Sequence, residues 1–391
     1  MITMFSMAFG LSFMIVSHGL MIGMADQMVY LATSLNTGHI QLHQEGYLGE
    51  RSIYTSIKDP SPLLKKLDSL KIGHSSVRAY STALISSGPQ STGAALWGID
   101  PVAEREVTDL YKHMGSGNFL VPEESGKVVL GKHLAEKLNI GPGEEIILLA
   151  QAADGSLGNE IYIVKGVLNT VGAVLDRAGV IMSLADLDLL LSLEGRVHEI
   201  AVRLDEPDLL EMAASKIKTS LDGDGSEVKT WKEIMPAVSQ MVDLHDVSSL
   251  IILFVIFAVA SLGIMNTQLM SIFERTREIG VMRAIGMGPL SVIILIGLET
   301  MYMTIMAGAA GSLVGALWSL RLQTHGLDLR KFVGEFDLGG IMFDTLMKAH
   351  LSFSTVIEPL LVMIFVVFLA SLYPAIRVAR ISPVDALGRG R

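Results

Sequence analysis

The residues of this 391-residue chain that could do chemistry form three sets. The first would be catalytic. His39 and His43 share one face of an expected strand, which invites a metal, but a spacing of four along a strand sets them about 13 Å apart, too far for one ion. A solvated polar face is the expectation there. Ser, His and Asp residues scatter between positions 26 and 246 without the Gly-x-Ser-x-Gly turn that exposes a nucleophile. No Gly-x-x-x-x-Gly-Lys-Ser/Thr loop occurs, and Gly126-Lys127 lacks the glycine and the hydroxyl that cradle phosphates. If ATP drives this protein, another chain binds it. With no cysteine there is no disulfide framework, thiolate metal site or thiol nucleophile. No catalytic, cofactor-binding or metal residue is assigned.

The second set would bind a partner. The run from Phe273 to Gly288 spaces Glu274 with Glu278, and Ile279 with Met282 and Arg283, as a helix does, making one face charged and the other apolar. That apolar face needs cover, which the groove of a soluble partner could supply. The third set sits in apolar surroundings, where ionisable groups are costly. His18 suits a structural hydrogen bond or a substrate contact, and Glu299 lies close enough to the basic run to cap it or pair with it rather than carry protons. Gly308, Gly311, Ser312 and Gly315 repeat at three and four residues, which lets another helix approach closely, a dimer interface included.

The elements that position these sets follow from hydropathy. Half of the residues are hydrophobic and only 18% are charged. A bilayer-spanning helix needs about 20 mostly apolar residues, and four segments qualify: 1–25, 247–272, 289–321 and 356–376. Between the first two, residues 26–246 hold 31 acidic and 19 basic side chains, a balance of −12. Such a domain repels phosphate backbones, so nucleic acid is set aside as a partner. Strands are expected at Gly38–His43, Glu144–Ala150 and Glu160–Val167, helices at Leu130–Leu138 and Leu184–Leu193, and a turn at Gly141-Pro142-Gly143. The fold class is therefore an α-helical membrane protein with four spans and a large mixed α/β domain outside. Arg275, Arg277 and Arg283 in the 273–288 connection, with Arg377, Arg380, Arg389 and Arg391 in the 377–391 tail, put those segments in the cytoplasm. The domain and the 322–355 loop then lie outside. The first helix has no basic residue before it and no small-x-small cleavage site, so it reads as a span and not as a cleaved signal.

Several of these residues carry a resemblance. Asn266, then Glu274-Arg275-Thr276-Arg277-Glu278-Ile279-Gly280, then Arg283-Ala284-Ile285-Gly286, followed by Glu299 and the glycine-rich third span, resemble permeases of the FtsX, MacB and LolC/LolE type. The ending Tyr373-Pro374-Ala375, with Arg377, Ala379, Pro383, Ala386 and Leu387, is similar to the same family's C-terminus, as Gly131 with Ala135, Gly141-Pro142-Gly143-Glu144 and Thr230-Trp231 with Pro236 are to its outer domain. The resemblance implies a type VII ABC transporter subunit in the bacterial inner membrane, its large domain in the periplasm. Glu274, Arg275, Glu278, Ile279, Gly280, Arg283, Ala284 and Gly286 would then carry ATPase coupling. ATP and Mg would bind only a partner ATPase dimer. A second permease, identical or not, would complete the complex, with membrane lipid around it and a periplasmic carrier or adaptor outside. Having no fused ATPase, the chain looks most like the LolC/LolE lipoprotein-releasing group, with lipoprotein or other lipidated cargo. A MacB-like exporter of peptides, drugs or lipids, and an FtsX-like regulator of a periplasmic hydrolase, are the alternatives.

Overall fold

In a computed structural model of the chain, the described residues are 2–221, 225–328, 336–338, 341–343 and 346–379. They divide into two compact units, one built on Gln27–Val242 and the other on the long helices.

The Gln27–Val242 unit carries one ten-stranded sheet. Its strands are β1 (Ile40–Gln44), β2 (Gly73–Ser87), β3 (Gln90–Ile99), β4 (Met114–Gly117), β5 (Lys127–Leu130), β6 (Glu145–Gln151), β7 (Leu157–Leu168), β8 (Gly179–Ser183), β9 (Glu199–Leu204) and β10 (Ser226–Thr230). Their order is β10-β1-β9-β2-β3-β8-β5-β7-β4, and β6 pairs with both β2 and β7. That double pairing closes β2-β3-β8-β5-β7-β6 into a six-stranded barrel. The β3/β8 and β5/β7 pairs are parallel and the other pairs antiparallel.

Alternation along each strand separates inside from outside. In β6, Ile146, Leu148 and Ala150 are buried, whereas Ile147, Leu149 and Gln151 are exposed. Ile85, Leu96, Val128, Leu130, Val164 and Met182 join the inward set, and the helices Lys132–Leu138 and Leu184–Leu191 add Leu134 and Leu187. A second cluster covers part of the barrel's outside, where Trp97, Val129 and Ile181 meet Leu35, Phe119 and Leu175. Gly141-Pro142-Gly143 turns the first of those helices into β6, and Gly143 takes φ +96°, a conformation that favours glycine.

The long helices and the short one between them are Ile2–Ala32 and Pro236–Glu274, whose ends enter the Gln27–Val242 unit, and Thr276–Ala284, Pro289–His325 and Phe353–Ala379. Among the described residues three stretches, not the expected four, are long and apolar enough to cross a membrane: Met4–Thr37, Pro289–His325 and Phe353–Arg377. The expected 247–272 span lies within the Pro236–Glu274 helix, where several side chains fall outside the described residues and Phe254–Gly263 is a shorter apolar stretch. The tail from 380 onward, with Arg380, Pro383, Ala386, Leu387, Arg389 and Arg391, also lies outside them.

Candidate functional site

The Pro236–Glu274 helix ends where Arg275 takes φ −100° and ψ +9°, and the Thr276–Ala284 helix starts at once, forming an elbow. Arg275 braces it. Its Nη1 donates to both carboxylate oxygens of Glu299, at 2.7 and 2.9 Å, and its Nε to Glu278 Oε2 at 3.2 Å. The Glu278 hydrogen bond and the Glu299 charge raise the guanidinium pKa, so the brace stays charged. Gly286, at φ +110°, turns the chain out of the elbow, and Gly288 leads to Pro289 in the first turn of the next helix.

The elbow's apolar face does not wait for a partner. Ile279 is buried against Val292, Ile296 and Ala375, with Met282 and Met287 beside it, so the chain's own helices supply the cover expected from outside. Gly280 is buried as well. Facing away are Glu274, Arg277, Glu278, Val281, Ala284 and Ile285, all exposed, while Arg283 is half-buried. Arg277, Val281, Ala284 and Ile285 fall at helical spacing and make one mixed basic and apolar stripe.

The glycine stripe is likewise filled from within. A methyl added to Gly308 would meet Leu360 at 2.9 Å, one on Gly311 the Ala8 carbonyl at 2.7 Å, and one on Gly315 Ile15 at 3.0 Å. Gly308, Gly311 and Gly315 therefore hold the first helix and the Phe353–Ala379 helix against the Pro289–His325 helix. They are not left free for the dimer contact that their spacing also allowed. Ser312 is half-buried, and its hydroxyl has no hydrogen-bond partner among the described residues.

A clamp on the first helix went unread. Gly19 and Gly23 receive the backbone of Lys348–His350, and a methyl on Gly23 would coincide with the Lys348 carbonyl. His350 N–H donates to Gly19 O at 2.8 Å, and His350 Nδ1 lies 2.6 Å from Asp26 Oδ2. The Gly-x-x-x-Gly spacing was the available signal. Directly before Gly19, His18 has its Nε2 3.4 Å from Glu358 Oε2.

In the outer domain His39 and His43 are buried, contrary to the solvated face expected of them. His39 Nδ1 accepts from Leu204 N–H at 2.9 Å, and burial, aided by Arg203, pushes its imidazole down to about 4. His43 stacks on Tyr47, which stacks in turn on His198. Beside them Arg78, fully buried, donates to Glu104 through Nε and Nη2 at 3.0 and 2.7 Å, and through Nη1 to Glu199 and to the Asn36 carbonyl, each at 2.7 Å. Nothing in the sequence separates this arginine from a solvated one. Among the described residues no group of three or more His, Asp or Glu side chains could hold a metal.

Residues 1–220, more than half of the chain, match the MacB-like periplasmic core domain, and residues 250–383 match the FtsX-like permease C-terminal region. The chain belongs to the FtsX/MacB family of ABC permeases. Among relatives of this permease, the lipoprotein-releasing system transmembrane protein LolC of Xylella fastidiosa is 24% identical over 311 residues, 77% of this chain and 74% of that one. The corresponding LolE of Haemophilus influenzae is 23% identical over 323 residues, 78% and 75% of the two chains. The periplasmic region of MacB from Actinobacillus actinomycetemcomitans aligns with 54% of this permease and 95% of that structure, at 14% identity and a TM-score of 0.38. The permease is a membrane protein with apolar helices and a periplasmic-type domain.

Proposed function

We propose that this permease is the non-catalytic transmembrane subunit of a type VII ABC transporter that extracts lipidated cargo, lipoproteins above all, from the outer leaflet of the bacterial inner membrane. It spans the membrane four times, pairs with a second permease, and takes its work from a separate ATPase dimer that binds ATP and Mg. The observation that carries the reading is the braced elbow. Ile279 and Arg275 tie it to the chain's own helices, and Arg277, Val281, Ala284 and Ile285 stay open to an ATPase groove. Motion of that groove would reach the helices through the Arg275–Glu299 contact and the Ile279 cluster. Similarity to LolC and LolE along about three-quarters of both chains supports lipoprotein as the cargo.

The test is reconstitution with the cognate ATPase, reading ATP hydrolysis and lipoprotein release together. Charge reversal at Glu278 or bulk at Gly280 should leave the outer domain folded while ATP turnover no longer yields release. Unchanged coupling in both variants would remove the elbow from the mechanism. Native mass spectrometry separates the cargo readings: a bound triacylated protein supports release, peptides or drugs support a MacB-like exporter, and a periplasmic hydrolase without lipid supports an FtsX-like regulator.

A further inference from the structure

One side of the barrel is bare. The rule for a half-buried strand is apolar inward and polar outward, yet on the outer face of β2, β6 and β7 the residues Leu84, Ile147, Leu149, Leu157, Ile161 and Ile163 are between 38% and 72% exposed. They are neighbours, because Leu84 pairs with Leu149 and Ile147 with Ile161. The wall continues into a cavity of about 650 Å³. Gln151 lies two residues beyond Leu149 on the same face, Thr82 lies two residues before Leu84, and Thr82 pairs with Ala95; all three line the cavity. Farther in stand Tyr80 and Trp97, edge to face at 5.2 Å, and then Leu31 and Leu35.

We propose that the cavity and the bare wall form one track for an acyl chain of the lipidated cargo, an inference that rests on the function proposed above. Three observations select that occupant. The register pairs from Thr82 and Ala95 through Leu84 and Leu149 to Ile147 and Ile161 carry no charge, while Glu145 opposite Ile163 and Arg51 and Glu199 in the cavity lie beside that line. The cavity has the size of a small-molecule site and aromatic walls, which a flat protein partner would leave empty and a flexible aliphatic chain fills. Leu31 and Leu35 belong to the Met4–Thr37 stretch, which is long and apolar enough to cross a membrane, so the track starts in sequence where a span ends. The cargo's chain would pass from Leu35 and Trp97 by Ala95, between Thr82 and Gln151, to the Leu84–Leu149 pair.

The full chain in nanodiscs tests this with a synthetic triacylated lipopeptide that carries a diazirine in one acyl chain, the labelled peptides being mapped by mass spectrometry. Peptides covering 80–97 and 145–163 should be labelled. Ala95→Trp, which fills the cavity, and Leu149→Glu, on the exposed wall, should each cut that labelling about tenfold, as a 1.4 kcal/mol loss of affinity would. Labelling in the Pro289–His325 helix should stay unchanged. Label confined to the long helices would overturn the track and leave the cargo reading standing. No label anywhere, with no release activity, would remove both. Equal labelling of the track by a diazirine phospholipid would overturn cargo as its occupant. Efficient disulfide trapping between two copies through Leu149→Cys would give the wall to a second copy instead.

Discussion

Arg275 and Glu299 stand 24 residues apart in sequence, yet one guanidinium nitrogen touches both oxygens of the carboxylate. The contact joins the bend of the elbow to the helix that starts just after it. Each partner is nearly half exposed, so the pair adds about 1 kcal/mol or less to stability. Its value lies in orientation. Arg275→Glu and Glu299→Arg should each lower lipoprotein released per ATP hydrolysed, with melting temperatures almost unchanged, and the double exchange should recover part of the coupling. Loss of coupling in the exchanged pair equal to the sum of the singles would show that the contact transmits nothing.

Gly23→Ala should open the clamp on the first helix. The added methyl has no room beside the Lys348 carbonyl, so the 346–350 segment must lift, at a cost of about 1–3 kcal/mol. Faster protease cleavage near 346–350, together with a lower melting temperature, is the expected reading. Gly10→Ala, where the methyl meets nothing, is the matched control.

Replacing Arg78 by Met leaves Glu104 and Glu199 buried without their cation. Removing one partner of a buried ion pair costs about 3–5 kcal/mol, and the outer domain's thermal transition should fall accordingly. Adding Glu104→Gln and Glu199→Gln should recover much of the loss. A drop that persists in the triple variant would point to the Asn36 carbonyl as the more important acceptor.

Acid should weaken the outer domain through its buried histidines. His39 binds a proton at about 4 when folded, against 6.5 ordinarily. Between those values the unfolded chain holds more protons, so stability falls as pH drops from 6.5 towards 4 and His39 adds no further loss below that. His198 is shifted the same way by burial. His39→Gln should flatten this part of the melting temperature's pH profile, and an unaltered slope would assign the effect elsewhere.

Local pattern was legible in the sequence, and closure at a distance was not. Strands around His43, Ile147 and Val164 and the helix through Leu187 announce themselves through alternation or helical spacing, and each is present. The run from Glu274 to Gly286 announced a helix through its spacing, but not the break at Arg275 or the mixed stripe of Arg277, Val281 and Ile285. Ile279 was read the wrong way for a physical reason: an apolar face states that cover is needed, not which chain provides it. Gly311 posed the same ambiguity between its own Ala8 and another subunit. The barrel could not be foreseen, since β6 meets β2 across some sixty residues and no local signal encodes that pairing. Arg78 carries no mark of its own in the sequence, and only the approach of Glu104 and Glu199 makes it central.

The pairing of β1 with β10 sets how the outer domain bears load. Ile40, soon after the first helix, lies opposite Thr230, shortly before the Pro236–Glu274 helix, and the two strands run antiparallel. Both connections therefore leave from the same end of the ladder. A pull that separates the two helices would peel this pair one rung at a time, the weakest way to load a β-ladder, whereas a pull that moves them together leaves it unloaded. The domain is thus mechanically compliant to splaying and stiff to concerted travel, so a force-spectroscopy experiment pulling between residues 33 and 236 should meet low rupture forces that break β1 from β10 before the barrel yields.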